Sequence, residues 1–123
     1  MNKVFSWVEI PVLNIERAAK FYGELLGCDV TITDMAPRRM AILYFEPGKV
    51  GGSLLESPDL KPSTQGMHVY LNAGKGDGLE KMIERVVSLG AEIVVPATPM
   101  GEDGRFASFK DTEGNVLSLF SEY

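Results

Sequence analysis

His68 is the only histidine in the chain and Cys28 the only cysteine. That narrows the chemistry at once. One imidazole can move a proton or ligate a metal, but it cannot supply both imidazoles of a 2-His-1-carboxylate iron site. Cys28 has no partner for an intramolecular disulfide, which suits a reducing compartment. No histidine lies near it in sequence, so it reads as a small buried residue rather than a nucleophile. Glu9 is a lone acid between Val8 and Ile10. Two readings stand for it. One is a surface carboxylate or partner of Arg17; the other is a cavity carboxylate acting as general base, its pKa raised by burial. Glu56 opens a polar stretch and reads as solvent-exposed. Trp7, Tyr70, Phe106 and Phe120, with Phe5 and Met67, either fill a core or line a cavity suited to a flat or apolar small molecule.

These residues must be positioned by regular elements. Phe5–Val12 is rich in β-branched and aromatic residues and predicts a strand, with Trp7 and Glu9 on one face. Asn14 caps a helix whose apolar face is Ile15, Ala18, Ala19, Phe21, Tyr22, Leu25 and Leu26, and Gly27 ends it. Strands follow at Asp29–Thr33, Met40–Phe45 and Gly52–Glu56. The order then repeats. Met67–Asn72 predicts a strand with His68 and Tyr70 on one face. Asp77 caps a second helix, with Glu80 completing a capping box. Gly90 ends that helix, and strands follow at Ile93–Val95, Arg105–Phe109 and Val116–Phe120. Asp111–Asn115 is a tight hairpin with Gly114 free to take positive φ.

Asn14 and Asp77 are 63 residues apart, and so are Gly27 and Gly90. Few identities accompany the offset, so the repeat is architectural. Two strand–helix–strand–strand–strand units make an α+β chain: module 1 over about 1–57, a polar linker over 58–65, and module 2 over about 66–123. The loop Gly74–Gly78 (GKGDG) has neither P-loop nor dinucleotide-binding spacing and reads as a flexible connection. Met100–Arg105 (MGEDGR) reads as a plain hairpin loop.

Composition bounds the rest. The 123 residues carry a net charge of −5, against the phosphate neutralisation that nucleic-acid binding needs and against adsorption to an anionic membrane. No apolar run approaches the ~18 residues of a spanning helix. The first residues, Met1–Phe5, run directly into a strand without the pattern of a signal peptide. A cytoplasmic protein is expected.

The stretch Trp7–Gly27 (WVEIPVLNIERAAKFYGELLG) resembles the first strand and helix of the vicinal oxygen chelate superfamily, the glyoxalase, bleomycin-resistance and extradiol dioxygenase group. Phe106–Ser121 (FASFKDTEGNVLSLFS) resembles its closing hairpin. The resemblance spans both halves. It implies a single glyoxalase-like domain over 1–123, in which two βαβββ modules with curved mixed sheets enclose a cavity. It also implies that metal-dependent members draw four ligands from the first and last strands of the two modules. Carried over by position, these fall at Trp7, which cannot ligate, with Glu9 two residues on; at Glu56; at His68 by local pattern or Tyr70 by the 63-residue offset; and at Ser118, where a carboxylate is expected.

No metal or other cofactor is therefore expected. The expected function is small-molecule binding in a cavity built by Trp7, Tyr70, Phe106, Ser118 and Phe120. It is either a binder or a metal-free enzyme with Glu9 as base. The alternative is a glyoxalase-type lyase or isomerase holding Ni, Zn, Mn or Fe on Glu9, Glu56 and His68. A second alternative is a drug-sequestering protein of the bleomycin-binding type. Extradiol dioxygenase chemistry is not expected. Edges and open faces left by a chain of this size predict a homodimer.

Overall fold

A computed structural model describes residues 4–123. Met1–Lys3, the start of the segment read above as running into the first strand, lie outside the described residues. Element order is β1(Trp7–Pro11), α1(Ile15–Leu26), β2(Ile32–Met35), β3(Arg38–Tyr44), β4(Gly51–Glu56), β5(Tyr70–Lys75), α2(Gly78–Ser88), β6(Glu92–Met100), β7(Gly104–Lys110) and β8(Val116–Glu122). They form two four-stranded mixed sheets, ordered β1-β4-β3-β2 and β5-β8-β7-β6. In each sheet the first strand pairs parallel with the last, and the other pairings are antiparallel. The chain divides into two units, Met1–Pro62 and Ser63–Tyr123. The α+β, two-module architecture expected from the sequence is the one observed.

In module 1, local chemistry sets α1. Asn14 Oδ1 accepts from the Arg17 N–H at 3.0 Å, and Gly27 takes the left-handed conformation while its N–H bonds back to Gly23 O. The helix buries Ile15, Ala18, Phe21, Tyr22 and Leu25 against Ile10, Ala41 and Leu54 of the sheet. Strand alternation then sends Trp7 and Glu9 to the opposite, open face. β2 starts three residues later than expected. The chain leaving α1 is still bonded to it, Cys28 N to Gly23 O, and pairing with β3 begins only at Ile32↔Ala41.

In module 2, α2 buries Leu79, Met82 and Val86 over Ala107, Phe109, Leu117 and Leu119. Four expectations need correction. The capping box does not form: Asp77 makes no side-chain cap, and the Glu80 carboxylate is taken by Arg105, with Arg105 Nη2 donating to Oε1 at 2.8 Å. β6 runs through Pro96 and Pro99 to Met100 instead of ending at Val95. It is an edge strand with two register shifts, where proline costs little. The GKGDG loop is pinned rather than loose: Gly76 N bonds to Glu122 O at 2.8 Å, and Gly76 O accepts from Arg105 Nη2 at 2.8 Å. β5 begins at Tyr70, leaving His68 just before the strand.

The Asp111–Asn115 hairpin forms as expected. Gly114 has φ 99°, and Asp111 Oδ1 accepts from the N–H groups of Glu113 and Asn115, each at 2.8 Å. Asn115 Oδ1 in turn accepts from Ser63 N at 3.0 Å, tying the turn to the residue where the chain enters the module.

Candidate functional sites on the open sheet faces

On the open face of module 1, the Trp7 indole N–H donates to Ser53 Oγ at 3.1 Å. Ser53 is fully buried, and Trp7 is 37% exposed. Gly51 positions the ring. A Cβ there would lie 2.7 Å from Trp7 Cζ3 and 2.5 Å from Tyr44 O, so only glycine lets the indole lie this close. Phe45 meets the ring at 6.3 Å between centroids. Glu9 pairs in register with Ser53, and its side chain is exposed.

Glu56 points elsewhere. Its Oε2 accepts from the Ile15 N–H at 2.8 Å, at the start of α1. Leu54, two residues earlier, is fully buried on the helix side, and alternation gives Glu56 the same side. A carboxylate there satisfies an unpaired donor of the first helical turn and complements the positive end of the helix dipole. Arg39 stands beside it, with Nη1 4.0 Å from Glu56 Oε1 and a closer pairing to Glu16. That Arg39 contact holds the Glu16 carboxyl below the usual carboxylate range. Glu56 is therefore only half-exposed, not the free surface carboxylate expected, and it is turned away from Trp7 and Glu9.

On the open face of module 2, His68 Nε2 and Ser118 Oγ are 2.6 Å apart, and Ser118 Oγ and Ser108 Oγ are 2.7 Å apart. Both serines are buried, at 0% and 2% exposure. Tyr70 stacks on the imidazole, with centroids 5.0 Å apart and planes at 18°, and Phe106 meets Tyr70 edge-on at 6.4 Å. Phe120 pairs in register with both Phe106 and Asn72. It lines an open cavity of about 540 Å³ with Glu102, Asp103, Glu122 and Tyr123. His68, Tyr70, Phe106 and Ser118 are thus brought together, with Phe120 next along the same face.

Strand pairing also orders the two modules against each other. Glu9 lies opposite Ser53, and Tyr70 lies opposite Ser118. The residue two positions earlier, Trp7 or His68, bonds that serine. By pairing, then, Trp7 corresponds to His68, not to Tyr70 as the 63-residue offset would have it. A register shift between Asn72 and Lys75 absorbs part of the difference.

Composition of the sequence did not reveal Ser53 or Ser108. The available signal was alternation: each is a small polar residue on the face opposite the helix, within an otherwise apolar run.

The Glyoxalase/Bleomycin resistance protein/Dioxygenase superfamily model matches residues 4–119. The chain belongs to this superfamily. A glyoxylase-like domain-containing protein of Didymella fabae is 28% identical over 120 residues, covering 93% of this chain and 90% of the relative. Among solved structures, a glyoxylase/bleomycin resistance protein/dioxygenase domain from Frankia sp. EAN1pec has a TM-score of 0.78 at 20% identity, covering 100% of this chain and 94% of that one. A glyoxalase I mutant from Zea mays has a TM-score of 0.74 at 20% identity, covering 96% of this chain and 45% of that one. A genomically encoded fosfomycin resistance protein from Listeria monocytogenes has a TM-score of 0.72 at 17% identity, covering 100% and 94%. At such identities the structural likeness is one of fold.

The superfamily's metal-dependent pattern can be tested on the donor chemistry here. Trp7 has no lone pair for a metal, Ser53 and Ser118 are neutral hydroxyls, and His68 Nε2 is already bonded to Ser118. These residues do not fit a four-ligand divalent centre. Among the described residues no group of three His, Cys, Asp or Glu side chains gathers.

Proposed function

We propose that this superfamily member binds a small molecule on its open sheet faces without a resident metal. One observation carries the reading. In each module a ring in or just before the first strand is bonded to a serine of the last strand, Trp7 to Ser53 and His68 to Ser118. The polar atoms a metal would need are spent inside the module. What remains around them is aromatic surface, Trp7 and Phe45 in module 1 and Tyr70 and Phe106 in module 2, with Phe120 at the edge of an open cavity whose other lining residues are Glu102, Asp103, Glu122 and Tyr123. Such a lining suits a flat, largely apolar ligand. If the protein is an enzyme, the exposed Glu9 carboxylate is the base we assign. A cytoplasmic homodimer belongs to the same proposal, supported by a single unpaired cysteine and by exposed Ile42, Tyr44 and Phe45 near Trp7.

The test is calorimetric titration of Ni²⁺, Zn²⁺ and Mn²⁺ into chelator-treated protein, beside a small-molecule screen read by thermal shift. We expect metal binding that is weak and unchanged in His68→Ala, together with hits weakened by Trp7→Ala or Tyr70→Ala. Tight stoichiometric metal binding lost in His68→Ala overturns the proposal in favour of glyoxalase-type chemistry. Light scattering reads the dimer, and a monomer at micromolar concentration overturns that part.

A further inference from the structure

We infer that Ser108 and Ser118 hold His68 as its Nδ1–H tautomer, which makes the open face of module 2 a hydrogen-bond donor site for ligands that carry an acceptor beside a flat apolar body. The first half follows from counting protons. Ser108 is buried, and among the described residues its hydroxyl has one hydrogen-bond partner, Ser118 Oγ. A buried O–H without an acceptor is costly, so the Ser108 proton goes to Ser118. Ser118 is fully buried and has two partners, Ser108 and His68. If the imidazole also donated to it, Ser118 would accept twice and its own proton would have no acceptor. The Ser118 O–H therefore donates to His68 Nε2. In a neutral imidazole whose Nε2 accepts, the proton sits on Nδ1.

The second half follows from what Nδ1–H meets. His68 is exposed, and Nδ1 makes no hydrogen bond among the described residues. The donor lies beside the ring stack of Tyr70 and the edge of Phe106. A carbonyl oxygen or ring nitrogen can accept from it while an attached planar group covers the aromatic surface. A donor-only group, such as an ammonium, finds another donor there. This half rests on the reading of the open face as a binding surface; the tautomer does not.

The experiment uses ¹⁵N-labelled full-length protein. With one histidine in the chain, a long-range ¹H–¹⁵N correlation spectrum at pH 8 shows one imidazole and reports which nitrogen carries the proton. We expect Nδ1–H in the wild type and a loss of that preference in Ser118→Ala. The amide spectrum checks that the variant is folded, and the wild-type result stands without it. Acetophenone, an acceptor-only probe, and benzylamine, a donor-only cation at this pH, are then titrated. We expect acetophenone to shift the His68 and Tyr70 signals and benzylamine to leave them in place. An Nε2–H wild type overturns the inference. Nδ1–H with benzylamine preferred, or with neither probe acting, overturns the ligand class. Hits elsewhere in the thermal-shift screen would then leave the broader binding proposal standing, and an empty screen would remove it.

Discussion

The two modules solve the same geometric problem with different side chains. In module 1 the indole of Trp7 faces a buried serine; in module 2 the imidazole of His68 does. An indole N–H can only donate, so Ser53 must accept and the bond has one direction. An imidazole can do either, so direction has to come from elsewhere, and module 2 supplies Ser108 behind Ser118. The difference teaches that a first-strand position can be fixed by the chemistry of its own ring or by a second buried hydroxyl. Only the second way leaves a ring nitrogen to spare.

The strongest way to break the comparison is to remove the floor under each site. Leu54 and Leu119 are fully buried one residue from Ser53 and Ser118. Leu54→Ala and Leu119→Ala should each cost about 2–5 kcal/mol in urea unfolding. Values well below this would mean that the helix-packed side does not support the open face. Next is Gly51→Ala, whose methyl group would meet Tyr44 O and the Trp7 ring. Overpacking there should cost about 1–3 kcal/mol, and an unchanged urea midpoint would contradict the close approach.

Ser118→Ala sharpens the contrast. It strands the buried Ser108 hydroxyl and should cost about 1–3 kcal/mol. Ser53→Ala frees only a partly exposed indole N–H that water can satisfy, so about 0.5–1.5 kcal/mol is expected. Equal losses would erase the distinction between the two arrangements.

The smallest effect is acid sensitivity, and here the modules should agree. Glu16 is held below the ordinary carboxylate range by Arg39, and Glu80 by Arg105. A folded pKa lower than the unfolded one means that the contribution is complete above about pH 4.3. It fades as pH falls through the folded values. Glu16→Gln and Glu80→Gln should each flatten the loss of stability below pH 4. A variant with the wild-type acid profile would mean that its ion pair does not form in solution. Both pairs are partly open to solvent, which screens them, so the effect is slight.

Much of this was legible in the sequence where the determinants are local. Asn14 and Gly27 bound α1 because a cap and a left-handed glycine act within one turn. Trp7 could be placed on one face with Glu9, and His68 with Tyr70, because alternation is a period of two. The misreadings have long-range causes. Glu80 looked like half of a capping box until Arg105, 25 residues on, claimed its carboxylate. Glu56 looked like the start of a linker, but the N–H it satisfies belongs to Ile15, 41 residues earlier. Alternation put Ser53 and Ser108 on the face opposite the helix but said nothing of their role, because a small hydroxyl in an apolar run reads the same whether it faces solvent or holds a ring in place.

Trp7 is the only tryptophan in the chain, and it sits half-covered with its N–H engaged. Its emission is therefore an optical signal from the open face of module 1 alone, with no second indole to dilute it. His68 gives module 2 a unique signal of a different kind. Each half thus carries a native reporter at the spot where a guest would land, and whether one, the other or both respond locates that guest without any label being attached.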